Sequence, residues 1–117
     1  MKKTLLLIIP LFFLFVGCED EKEVDTTPPT VSIQSPITNN PIFEIVTIVV
    51  ETNDNVGISK VEFYVDDSLV STDTESPYEY GWNTATYDDT SYIIKVISFD
   101  TSNNSTPSQP IMLIVDT

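Results

Sequence analysis

From Thr30 onward, apolar residues recur at every second position in short runs separated by Asn, Asp, Pro, Ser and Thr. Val31 and Ile33 alternate in the first run, and Val46, Ile48 and Val50 share a face in the second. Val61, Phe63 and Val65 share a face in the third, opposite Lys60, Glu62 and Tyr64. Leu69 to Thr72 can return after an Asp66-Asp67-Ser68 turn. Tyr78, Tyr80 and Trp82 alternate next, then Tyr92, Ile94 and Val96 after Asp88-Asp89, then Ile111, Leu113 and Val115. A period of two is the signature of a half-buried strand, and no helical period appears in this region. Seven short strands punctuated by turn residues predict an all-β fold, an antiparallel β-sandwich.

The first residues follow a different pattern. Lys2 and Lys3 form a positive head, and Leu5 to Val16 are apolar apart from Pro10. Twelve helical residues span about 18 Å, short of the roughly 30 Å of a hydrocarbon core. The segment therefore reads as a secretory signal rather than a membrane span. It ends in Phe15-Val16-Gly17-Cys18, which resembles the lipobox of bacterial lipoproteins. The small Gly17 and the Cys18 match that motif, whereas Phe15 stands where Leu is usual. The resemblance implies cleavage between Gly17 and Cys18 and attachment of diacylglycerol to the Cys18 sulfur. A third chain on the new N-terminus follows, and two or more acyl chains hold a protein stably on a membrane.

Glu19, Asp20, Glu21 and Glu23 come directly after, with Lys22 among them. Such a run ordinarily serves as a solvated tether. It also resembles the signal that sends some Gram-negative lipoproteins to the outer face of the outer membrane. The expected organisation is a signal peptide over 1–17, an acidic tether over 18–29 and one domain over 30–117.

Composition narrows the partners. Beyond residue 17 only Lys22, Lys60 and Lys95 oppose all 18 acids, a formal charge of −15, and the sequence has no Arg and no His. Nucleic acid needs a basic face, so it is excluded as a partner. Charge-driven docking on anionic lipid is excluded too, which leaves the lipid anchor as the membrane contact. With Cys18 acylated, no thiol remains for a disulfide, and the core alone must hold the fold.

Four stretches, TPPTVSIQSP, DNVGISKVEFYVDD, SPYEYGWNT and SFDTSNNSTPSQP, resemble successive blocks of the bacterial immunoglobulin-like domains. The resemblance covers Thr27 to about Val115 and implies an Ig-like sandwich of about seven strands without the inter-sheet disulfide of antibody domains. Asp67 stands where the family often has Gly, so that turn is expected to strain or change type. Phe99 replaces a usual small or polar residue before Asp100. In this family such domains usually accompany catalytic or adhesive units. A single domain is therefore expected to meet its partner in trans.

No enzyme is expected. There is no His to act as base, no Cys nucleophile beyond Cys18, and no phosphate loop among three glycines. Asp66-Asp67 and Asp88-Asp89 sit in polar turns, without the apolar setting that turns a carboxyl into an acid catalyst. Tyr64, Tyr78, Tyr80, Trp82, Tyr87 and Tyr92 offer a sugar platform, but alternation sends most of them to the core and leaves Tyr64 and Tyr87 as the exposed pair. Asn103-Asn104-Ser105 matches a glycosylation sequon, which a bacterial lipoprotein leaves unused.

One pole carries hard oxygen donors. In an Ig-type sandwich the start of the first strand and the loops after the second and sixth strands meet at one end. Here those segments hold Asp25, then Asn53-Asp54-Asn55, then Asp100 with Asn103 and Asn104, of which Asp25, Asp54, Asn55, Asp100 and Asn103 are the candidate ligands. Oxygen ligands of this kind suit Ca²⁺, but Asp and Asn more often cap their own turns. The expectation is turn capping, no cofactor and no metal, with calcium as the alternative. The function expected is a membrane-anchored, surface-exposed lipoprotein whose Ig-like domain binds or adheres to a protein or glycan. The alternative is a structural spacer or accessory subunit of an envelope complex.

Overall fold

The computed structural model describes residues 24–117. The expected signal peptide, Gly17, Cys18 and the acidic run after it lie outside the described residues. Among the described residues no helix is long and apolar enough to cross a membrane.

Eight strands form two sheets. They are β1 (Thr30–Ser35), β2 (Ile45–Asn53), β3 (Ile58–Val65), β4 (Ser68–Asp73), β5 (Tyr78–Asn83), β6 (Ser91–Asp100), β7 (Ser105–Pro107) and β8 (Ile111–Ile114). One sheet has the order β1-β2-β5, and the other runs β4-β3-β6-β7 with β8 also on β6. Every strand pair is antiparallel. An isolated parallel bridge joins Ile42 to Val115 and links the start of the first sheet's central strand to the end of the second. The all-β, Ig-like sandwich expected from alternation is the fold observed.

Strand register follows the apolar period. Val61, Phe63 and Val65 are buried on β3, as are Ile94 and Val96 on β6 and Ile48 and Val50 on β2. A slip of one residue would turn each set to solvent, which pins the pairing. Phe63 reaches across the sandwich to Tyr80, with ring centroids 5.7 Å apart. Trp82 is fully buried and meets Tyr87 and Tyr92 edge to face at 5.2 and 5.6 Å. These aromatic contacts tie β5 to β6 and seal the core beside the Thr84–Thr86 3-10 turn.

The sequence reading had seven strands because it ran the chain after Asp100 as loop. The extra strand, β7, pairs Ser105, Thr106 and Pro107 with Phe99, Ser98 and Ile97. Three residues without an apolar alternation carry no strand signal, so only the pairing with β6 defines it. Phe99 points outward, and the Lys60 ammonium sits 4.6 Å from its ring centre. The ring is thus covered by an amphipathic neighbour rather than by core.

Candidate metal centre

The register brings three distant segments to one end of the sandwich. Thr30 pairs with Asn53, so the chain before β1 lies beside the β2–β3 loop. Ile58 pairs with Asp100, so the end of β6 lies beside that same loop. Below this pole, Thr52 Oγ1 donates to Thr30 O at 2.6 Å and lies 2.7 Å from the buried Ser98 hydroxyl. That polar link crosses between the sheets and fixes the pole on rigid strands.

Asp100 continues the inward face of β6 beyond Val96 and Ser98 and is fully buried. Its Oδ1 accepts the N–H groups of Ser102 and Asn104, each at 2.8 Å, and its Oδ2 accepts Asn104 Nδ2 at 2.8 Å. Burial opposes its ionisation. The hydrogen bonds from Asn104 and Ser102 outweigh that and hold the carboxyl below the usual aspartate range. Asp100 is therefore an anion in the interior of the pole.

Asp54 and Asp25 each cap a turn with one oxygen, as the sequence reading expected. Asp54 Oδ2 accepts Val56 N at 3.0 Å and Gly57 N at 3.2 Å. Asp25 Oδ1 accepts Thr27 N at 3.0 Å. Capping accounts for half of each carboxylate. The other oxygens, Asp25 Oδ2 and Asp54 Oδ1, are buried and have no hydrogen-bond partner. One oxygen from each of Asp25, Asp54 and Asp100 lies within 4.8 Å of the other two.

Among the described residues no lysine answers this charge. The two described lysines lie on the outer face of the second sheet, where Lys60 pairs with Glu62 at 3.3 Å and Lys95 with Asp67 at 3.7 Å. Three carboxylates thus converge with two orphaned oxygens, and neither described lysine pairs with them. A cluster of one buried and two half-buried carboxyl groups is costly without compensation, and a hard divalent cation is the group whose chemistry fits it.

Asn55 and Asn103, the two asparagines among the candidates, lie at the same pole. Asn55 lines an open depression with Val24, Asp25, Thr26, Thr27 and Val56. Asn103 is exposed in a turn with φ of 70°, its N–H donating to Asp100 O. Its neighbour Asn104 holds the position instead, bonding both Asp100 and the Asp25 carbonyl. Adjacent asparagines in a turn have no alternation to tell them apart, so the sequence carried no signal for this choice.

The sequence model of the bacterial Ig domain family matches residues 29–96. No curated protein matches the chain. Among solved structures, the fibronectin(III)-like modules of CbhA from Clostridium thermocellum are similar at 27% identity and a TM-score of 0.68, covering 88% of this chain and 50% of that one. The endo-β-1,4-mannanase from Thermotoga petrophila is similar in fold at 15% identity and a TM-score of 0.61, covering 80% of this chain and 21% of that one. The chain thus spans half the length of the first structure and about a fifth of the second. Folds of this type generally serve as non-catalytic modules. With the family match spanning more than half of the sequence, from the approach to β1 into β6, the chain belongs to the bacterial Ig domain family.

Proposed function

We propose that this protein is a lipoprotein anchored through Cys18 to the outer membrane, exposed on the cell surface, whose Ig-like domain is a non-catalytic binding module for a protein partner. The observation that carries the binding role is an apolar band on the outer face of β6 and β8. Ile93 lies directly opposite Met112, and the two are 45% and 56% exposed. Ile114 takes the next outward position on β8, and Met112 also lines a cleft with Pro36 and Ile37. Adjacent exposed apolar side chains of this kind mark protein contacts. A glycan partner has less support, because Tyr64 and Tyr87 are half-buried. The Tyr64 hydroxyl donates to Glu62, and the Tyr87 ring packs against Trp82 and Tyr92. An accessory role draws on a different observation, since a similar fold makes up about a fifth of the mannanase chain.

Two measurements test the reading. Metabolic labelling with a palmitate analogue should mark the wild-type protein and fail on Cys18→Ser; label on the variant would remove the anchor from the proposal. Cross-linking in outer-membrane fractions should capture one specific partner, lost in the Ile93→Asp/Met112→Asp double variant and kept in Leu69→Asp, which charges an exposed apolar residue on β4. The same capture in all three proteins, or none, would favour the spacer.

A further inference from the structure

We propose that Asp25, Asp54 and Asp100 form a Ca²⁺ site that ties the segment leading into β1 to the pole of the sandwich. The cluster alone would not carry this. The second observation is that Asp25 Oδ2 and Asp54 Oδ1 are buried with no partner, although each residue's other oxygen already caps a turn. Turn capping therefore explains one oxygen per residue and leaves the converging ones unexplained.

Ligand type and the number of segments supplying it point to calcium. All three donors are carboxylate oxygens, without the imidazole or thiolate that favours zinc or copper. Ca²⁺ binds oxygens at about 2.3–2.6 Å, so two ligands of one ion stand at most about 5.2 Å apart, a limit this set satisfies. The three oxygens here lie within 4.8 Å of one another. Mg²⁺ demands near-ideal octahedral geometry, keeps several waters and usually takes only one or two carboxylates, which suits a three-carboxylate set less well. Asp25 also lines the open depression at the pole, which gives an ion a route in.

The site joins three segments that lie far apart along the chain. Asp54 follows β2 of one sheet, Asp100 ends β6 of the other, and Asp25 belongs to the chain ahead of β1. Besides its cap on Thr27, Asp25 is held to the body through its carbonyl by Asn104 Nδ2 at 2.8 Å. An ion shared by all three carboxylates replaces repulsion with a common ligand and fixes the point where the leading chain leaves the domain.

The test uses the full chain in detergent, with CaCl₂ or MgCl₂ at matched ionic strength and thermal melting and hydrogen exchange as readouts. Half-saturation is expected at about 10⁻⁴–10⁻³ M Ca²⁺, as in extracellular modules. At 10 mM Ca²⁺, opening of residues 24–29 should be suppressed by about ten- to a hundredfold, following one plus the ratio of ligand to Kd. Asp25→Asn and Asp54→Asn should abolish both responses. Each should also melt no lower than the wild type in EDTA, because removing a charge relieves the cluster; this keeps the test valid against a trivial folding defect. Asp88→Asn, which removes an acid elsewhere, should respond like the wild type. A response equalled by Mg²⁺, one that survives Asp25→Asn, or no response up to 10 mM Ca²⁺ would each overturn the proposal.

Discussion

Phe63 and Glu62 are neighbours on β3 with opposite surroundings. Phe63 is fully buried, while Glu62 faces outward, accepts the Tyr64 hydroxyl at 2.6 Å and pairs with Lys60. Truncating a buried Phe typically costs about 3–5 kcal/mol, against a total stability of about 5–15 kcal/mol for a small domain. Phe63→Ala should therefore lower the melting temperature sharply. Glu62→Ala removes a surface ion pair and one hydrogen bond and should cost about 1 kcal/mol or less. Its distinct readout is titration. The hydrogen bond to Glu62 comes first among the causes that hold the Tyr64 pKa above its ordinary value, followed by burial and the Glu62 charge. Tyr78, Tyr80 and Tyr92 are raised chiefly by burial. A raised tyrosine pKa favours the neutral form in the fold, so its contribution is full below about pH 10 and is lost as pH climbs through the raised value. Ultraviolet titration of Glu62→Ala should show one tyrosine ionising at lower pH than in the wild type. An unchanged profile would mean that the Glu62–Tyr64 bond does not form in solution.

Between β3 and β4 the chain reverses through Asp66 and Asp67, with φ of 48° and 69°. Two consecutive positive values define the primed hairpin turn that matches strand twist, in which Asp-Gly is favoured. The expectation that Asp67 strains this turn is met by its left-handed backbone. Asp66 occupies the same region but has a role there. Its Oδ1 accepts Ile93 N at 2.8 Å and its N–H donates to Ile93 O, extending the β3–β6 ladder past Val65. Asp67 has only a 3.7 Å contact with Lys95 and is 90% exposed at the side chain. Asp67→Gly should therefore stabilise the domain by about 0.5–1 kcal/mol, and Asp66→Gly should destabilise it by about 1–2 kcal/mol. Denaturant midpoints of the two variants check the sign of each. What the sequence made legible at this scale follows from the same physics. Alternation reports burial on one face, so β1 to β6 and β8 were readable. β7 was not, because Ser105, Thr106 and Pro107 form a strand only through the register that β6 imposes. The pole was half legible. Chain order placed Asp25, Asp54 and Asp100 together, but which oxygen is capped and which is left alone depends on turn geometry that no period encodes.

Across the whole molecule the dominant feature is unbalanced charge, with 18 acids and five lysines in the chain. Self-repulsion on this scale destabilises a compact state, and salt should relieve it. The Debye length falls from about 30 Å at 0.01 M to about 8 Å at 0.15 M, shorter than most separations across a domain. The carboxylates of Asp25, Asp54 and Asp100 lie inside that distance, within 4.8 Å of one another and partly shielded from solvent. Salt therefore weakens the long-range repulsion and leaves the repulsion within the cluster largely intact. In EDTA, raising NaCl from 0.01 to 0.5 M should lift the melting temperature by about 4–8 °C if the relief is about 1 kcal/mol for a domain of this size. Asp54→Asn should start no lower than the wild type at 0.01 M and rise by a similar increment, so the two salt curves should run parallel. Curves that converge at high salt would show that ordinary electrolyte screens the cluster. The pole would then be an open patch of solvated acids, and nothing in it would require a bound cation.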